Sequence, residues 1–96
     1  IGSSMAYSMT KAALNQMTVL LAKSCGPVRV NAVAPGLVET PWTKDWQNQH
    51  DAVKAVTPLH RSATMEDCVQ ATLGLLRTKY ATGQIFVVDG GLTLVI

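Results

Sequence analysis

Val28-Arg29-Val30-Asn31-Ala32-Val33-Ala34-Pro35-Gly36 is the stretch on which the fold turns. Val28, Val30 and Val33 are β-branched, and Pro35-Gly36 punctuates the end. Residues 28–34 therefore read as a strand with a loop after its carboxyl end. Further along, Ile85-Phe86-Val87-Val88 is a continuous apolar run closed by Asp89-Gly90-Gly91, the pattern of a strand covered on both faces. The chain between them is far too long for a hairpin, so the two strands should be parallel with a right-handed crossover. Parallel strands occur in buried sheets of several strands with helices on both faces. The chain thus reads as α/β, the edge of a larger doubly wound sheet.

Working outward, residues 4–25 carry Ala13, Met17, Leu20 and Leu14, Met17, Leu21 at three-and-four spacing. Ser3 or Ser4 caps this helix of about five turns and Gly26-Pro27 stops it. Ala6, Ala12, Ala13 and Ala22 keep parts of it slim. A second helix is expected over 65–79, with Thr64 as N-cap, Glu66 and Asp67 in the first turn, and Arg77 and Lys79 in the last. Val69, Thr72, Leu73 and Leu76 form its apolar stripe. Residues 37–62 are irregular, with room for a short helix between Trp42 and Val56 that Thr57-Pro58 breaks. The order is helix, strand, helices, strand, then an apolar tail from Leu92 to Ile96. No internal repeat or low-complexity segment interrupts it.

Composition narrows the function classes. The chain has 96 residues, 48% of them hydrophobic, with 8 Lys+Arg against 6 Asp+Glu. That is one domain at most, too apolar for disorder and too weakly basic for a nucleic-acid surface. No apolar run approaches the ~18 residues of a membrane helix. Cys25 and Cys68 form no C-x-x-C pair and no zinc spacing. They read as small buried hydrophobes in a reducing, cytoplasmic setting. His50 and His60 lack an H-x-x-x-H partner and read as surface or loop residues, so no metal site is expected. The opening Ile1-Gly2-Ser3-Ser4 has no initiator Met and no signal-peptide core. It reads as a start inside a longer protein, with processing to a mature N-terminus as the alternative.

Tyr7 and Lys11 stand four apart on the first helix and share one face. A phenol is a weak proton donor or acceptor at neutral pH unless a neighbouring cation favours its charged form. Lys11 is such a cation, one turn away, and the helix N-terminus acts in the same sense. An exposed lysine beside a half-buried tyrosine is the plain alternative, and the pair alone does not decide between them.

The neighbouring blocks add to it. Ala6-Tyr7-Ser8-Met9-Thr10-Lys11-Ala12-Ala13-Leu14, Arg29-Val30-Asn31-Ala32-Val33-Ala34-Pro35-Gly36 with Thr40, then Thr82-Gly83-Gln84 and Val88-Asp89-Gly90-Gly91 follow in order. In this the chain resembles the short-chain dehydrogenase/reductase family over essentially all its length. The resemblance implies a Rossmann-type sheet whose sixth and seventh strands are residues 28–34 and 85–88. It implies that Tyr7 is the catalytic acid/base. Lys11 would assist Tyr7 and hydrogen-bond the nicotinamide ribose. Pro35 and Gly36 would form the turn against the nicotinamide, with Val38 holding the carboxamide through its backbone and Thr40 contacting the cofactor. The implied cofactor is NAD or NADP, the substrate a small alcohol or ketone, and the full-length assembly a dimer or tetramer. Asp89-Gly90-Gly91 looks like a structural turn. Trp42 and Trp46, on one helical face in the family's substrate loop, either line an apolar pocket or pack this segment down.

The resemblance also implies what these residues lack. The glycine-rich pyrophosphate turn, the residue selecting NAD or NADP, the first five strands and the catalytic serine and asparagine have no counterpart here. Ser3 and Ser4 are too close to Tyr7 to be that serine. Residues 1–96 are therefore expected to be the C-terminal part of one NAD(P)-binding domain. The longer chain would interconvert an alcohol and a ketone by hydride transfer, and the piece alone would be inactive. A truncated, non-catalytic remnant serving as an oligomerisation or interaction module is the alternative. An extended relative such as a sugar epimerase also uses a Tyr/Lys pair, but fits Pro35-Gly36 and Val88-Asp89-Gly90-Gly91 less well.

Overall fold

The computed structural model of the protein describes residues 4–96. Three helices, α1 (Met5–Ser24), α2 (Gln47–Val56) and α3 (Met65–Arg77), accompany two strands, β1 (Ala32–Pro35) and β2 (Ile85–Val88). The strands are parallel neighbours, with Ala32 opposite Ile85 and Pro35 opposite Val88. A short 3-10 turn at Leu92–Leu94 follows β2.

β1 starts later than residues 28–34 suggest and runs one residue further. Its forerunners bind the segment before β2 partly through side chains rather than a regular ladder. Thr82 Oγ1 accepts from Val30 N–H at 3.1 Å, and Asn31 bridges the Ala81 carbonyl and the Gln84 amide, both at 3.0 Å. Arg29 turns away and donates to the carbonyls of Leu75, Leu76 and Thr78 at 2.9–3.1 Å, and more weakly to Ala81. These carbonyls belong to the last turn of α3 and the segment just after it, and that of Leu76 has no backbone donor among the described residues, so a residue beside the sheet helps to cap that helix. Pro35 is tolerated because it ends the strand, where a missing N–H costs no ladder bond.

α3 begins as the sequence predicts. Thr64 Oγ1 accepts from Asp67 N–H at 3.2 Å and Asp67 Oδ2 accepts from Thr64 N–H at 2.7 Å, a reciprocal box. Arg61 grips the same carboxylate with both terminal nitrogens, at 2.7 and 3.1 Å. The Arg61 hydrogen bond, followed by those of Thr64, holds the Asp67 carboxyl well below the usual carboxylate range. The helix packs on both strands, but not by the expected stripe. Ala71 is buried and Cys68 and Leu75 half-buried; of the expected stripe Leu73 is half-buried, whereas Val69, Thr72 and Leu76 are exposed. Small residues at 68 and 71 allow the close approach. Two apolar faces lie side by side here, and periodicity cannot choose between them.

α1 is nearly uncovered. Ser4 caps it, accepting from Tyr7 N–H at 3.1 Å; Ser3, the other candidate, lies outside the described residues. Thr18 is the buried residue of this helix, while Leu14, Met17 and Leu20 of the expected core rows stand exposed, Leu20 at 55%. Phe86 and Val87 of β2 are exposed too, so the strand is not covered on both faces by the described residues. Among them the buried apolar side chains are Val53 and Ala71. The rest of the interior is polar: Thr18, Thr43, His50, Thr57 and Ser62. Three expectations are corrected by this. Cys25 is exposed because it follows the end of α1, which is itself nearly uncovered, and Cys68 is half-buried beside Ala71 on α3. His50 is buried, in α2, rather than at the surface; His60 is exposed, at φ +53°.

The Asp89-Gly90-Gly91 turn is structural. Burial opposes ionisation of Asp89, but amides of Thr93 and Gly91, each at 2.9 Å, outweigh it and hold the carboxyl below its ordinary value. Gly91 has φ +91°, and a Cβ there would lie 2.7 Å from Pro58 Cγ. The turn therefore seats the Thr57-Pro58 corner that ends α2, and Leu59 N–H bonds the Gly90 carbonyl at 3.2 Å.

Candidate active site

Tyr7 occupies the first turn of α1 because Ser4 caps its amide, and Lys11 follows one turn later. The Lys11 ammonium lies 5.4 Å from the Tyr7 ring centroid, over the ring. Tyr7 is 48% exposed. Among the described residues neither the phenol oxygen nor the ammonium has a hydrogen bond or an ion pair. A phenol hydroxyl and a cation are thus held together on one helix face and left available, apart from their weak cation–π contact.

The second group follows the carboxyl end of β1, where open α/β sheets receive ligands. Pro35 is exposed. Gly36 donates to the Val88 carbonyl at 2.9 Å, and a Cβ at 36 would fall 3.0 Å from Asp89 Cα, a tight approach that favours glycine. Residues 37–39 then bracket Ala63: Ala63 N–H bonds the Leu37 carbonyl and Glu39 N–H bonds the Ala63 carbonyl, both at 2.8 Å. Thr43 fastens the loop from the other side. Its hydroxyl donates to the Val38 carbonyl at 2.5 Å and accepts from Thr40 N–H at 3.1 Å; its amide meets Thr40 Oγ1 at 3.3 Å. Val38 N–H has no acceptor among the described residues. An oriented backbone donor on a fixed loop is what an amide oxygen needs, and Thr40 adds a hydroxyl two residues on. Val38 N–H and the Thr40 hydroxyl can therefore donate to a ligand that brings acceptor oxygens to this loop.

Trp42 and Trp46 meet, with ring centroids 5.3 Å apart and planes tilted by 57°. They do so across a turn rather than on one helical face, since α2 begins only at Gln47. Trp42 is 75% exposed and Trp46 half-buried. Glu39, Thr40, Lys44, Gln47, His50 and Lys54 line an open groove that neither tryptophan enters. No hydrogen bond or ion pair links Tyr7 or Lys11 to residues 35–46. Among the described residues no three His, Cys, Asp or Glu side chains gather around a metal position, and no helix is long and apolar enough to cross a membrane.

Sequence reasoning missed His50 and Arg29. His50 sits three residues before Val53 and seven before Thr57, all buried on one side, and that spacing was the available signal. Arg29 offered none, because its partners are more than 40 residues away.

A family model described as enoyl-(acyl carrier protein) reductase matches residues 1–93. A ketoacyl reductase 2 assigned to the granaticin polyketide synthase of Streptomyces violaceoruber is 48% identical over 94 residues, covering 94% of this chain and 38% of that protein. A small-chain dehydrogenase solved with NADPH superposes with a TM-score of 0.81 at 33% identity, over 86% of this chain and 40% of that one. A 4-hydroxyisoleucine dehydrogenase mutant solved with NADH and succinate gives 0.85 at 29% identity, over 93% and 40%. The chain spans about two fifths of the length of these proteins.

Proposed function

The chain belongs to the short-chain dehydrogenase/reductase family, and on that footing we propose that it carries the acid–base half of an NAD(P)-dependent alcohol/ketone oxidoreductase. The observation that carries the reading is the Tyr7–Lys11 pair, with its phenol and ammonium unengaged on one face of α1. In this reading Tyr7 gives its proton to the carbonyl oxygen during reduction and takes it back during oxidation. Lys11 stabilises the phenolate left behind and offers its ammonium to ribose hydroxyls. Val38 N–H and Thr40 would hold the carboxamide of the nicotinamide. A bound nicotinamide supplies or accepts the hydride. Pro35 and Gly36 form the wall behind it. Trp42 and Trp46 border the substrate side as an apolar rim.

The pyrophosphate turn and the catalytic serine would come from residues other than these 96, and the piece alone would not turn over. The kinship to a ketoacyl reductase makes a β-keto group the carbonyl to test first. Cytoplasmic placement and assembly as a dimer or tetramer belong to the same proposal. The test is consumption of NADH or NADPH by the intact protein against a panel of 3-oxoacyl thioesters, ketosteroids and keto sugars. Saturable consumption with one member is expected. No consumption of either nucleotide with any carbonyl would sink the proposal.

A second reading is favoured by the exposed rows of α1: a non-catalytic module that pairs through Leu14, Met17 and Leu20. It predicts association with a full-length relative in a size measurement, and no turnover in the intact protein.

A further inference from the structure

His50 is 6% exposed, yet it is polar and lies beneath the loop that bears Val38 and Thr40. Its Nε2 is 3.1 Å from the Thr43 carbonyl and its Nδ1 is 2.6 Å from Ser62 Oγ. A carbonyl only accepts, so Nε2 carries a proton, and in the neutral ring Nδ1 then accepts from the Ser62 hydroxyl. Both ring nitrogens are therefore engaged. No lone pair or proton is left for a substrate, so His50 is not an acid–base group. What it does is close a ring of contacts. Thr43 hydroxyl holds the Val38 carbonyl. Thr43 carbonyl is held by His50 and His50 by Ser62. Ser62 precedes Ala63, whose backbone brackets Val38 on both sides. Thr43 and Ser62 are buried as well, so water does not substitute for these bonds.

We propose that His50 is the positioning residue of the nicotinamide-facing loop: it ties the Thr43 turn to Ser62 and so fixes the Val38 amide and the Thr40 hydroxyl. The inference rests on the reading of that loop given under the proposed function. Loss of the tie frees the loop to move before the ligand arrives, and the ligand then has to order it on binding. The penalty falls on cofactor affinity, whereas the chemistry at Tyr7 is untouched.

The experiment uses the intact protein and its variants His50→Ala, His50→Gln, Ser62→Ala and the His50→Ala/Ser62→Ala double. The readouts are KM and kcat for NAD(P)H, and amide hydrogen exchange of Glu39 and Thr40 without cofactor. His50→Ala should raise the cofactor KM about tenfold, with kcat within about twofold, and speed exchange of both amides. His50→Gln keeps an N–H within reach of the Thr43 carbonyl and should recover to within about threefold of wild type, as should Ser62→Ala. Because Ser62 acts through His50, the double variant should be no worse than His50→Ala. Should His50→Ala fail to fold, the other two single variants decide: each must show the smaller rise in KM with faster exchange. Unchanged KM and exchange, additive effects in the double variant, or a fall in kcat equal to the rise in KM would overturn the inference. A wild-type protein that binds neither nucleotide would overturn the underlying reading, and this inference with it.

Discussion

Arg29→Ala removes the cap that the sheet lends to α3. In the structure its two terminal nitrogens reach four carbonyls, Leu76 at 2.9 Å, Leu75 and Thr78 at 3.1 Å, and Ala81 at 3.4 Å. The last is too long to count for much. Three charge-assisted bonds remain. Each contributes about 1 kcal/mol once exchange with water at a half-exposed site is allowed for, so the loss should be about 2–3 kcal/mol. The cation also sits at the negative end of the helix, worth roughly 0.5 kcal/mol within that range. Urea unfolding of the intact protein, followed by circular dichroism, measures the change as a lower midpoint at constant slope. Arg29→Lys is the sharper control. One ammonium keeps the charge at the helix end but cannot reach the three carbonyls of Leu75, Leu76 and Thr78 as the two-nitrogen fork does, so it should restore less than half of the loss. A loss below about 0.5 kcal/mol, or full recovery with lysine, would refute the clamp and reduce Arg29 to a point charge.

Two further outcomes follow from the turns. Gly91→Ala should destabilise the protein by about 2–3 kcal/mol in the same assay, because φ +91° is strained for alanine and its Cβ would meet Pro58 Cγ at 2.7 Å; a loss no larger than that of an exposed alanine substitution would contradict the close seating of Pro58. The Asp67 carboxyl is lowered on folding by Arg61 and Thr64, so its stabilising contribution is complete above the ordinary aspartate value of ~3.9 and drains away as pH falls below it. The gap in urea midpoint between wild type and Asp67→Asn should therefore narrow from pH ~5 downward, and a gap that stays constant would count against the pairing.

Features with local causes were legible in the sequence. Thr64 and Asp67 make their box within one turn, and α3 starts at Met65 as they predict. Ile85–Val88 is a strand because an apolar run and a glycine turn lie side by side. Tyr7 and Lys11 meet because helix geometry brings i and i+4 together. What the sequence hid depends on distant partners. Asn31 bridges to Ala81 and Gln84, and that contact, not propensity, delays β1 to Ala32. His50 is buried because Ser62 and Thr43 supply both of its bonds, and neither partner is implied by the helix on which it sits. The free N–H of Val38 is a property of the Ala63 bridge, which pairs residues on either side of it and skips it. The inward side of α3 was misread in part for a related reason: Ala71, with Cys68 and Leu75, is more covered than Val69, Thr72 and Leu76 of the expected stripe, in which Leu73 alone is half-buried.

The central claim is that Tyr7 moves the proton. Single-turnover oxidation of NAD(P)H with the reactive carbonyl, measured for wild type and Tyr7→Phe in the intact protein alongside nucleotide affinity, tests it most directly. The phenylalanine variant should fold and bind nucleotide within about threefold of wild type, yet transfer hydride at least about a hundredfold more slowly. Hydride transfer at a near-normal rate in that variant would contradict it.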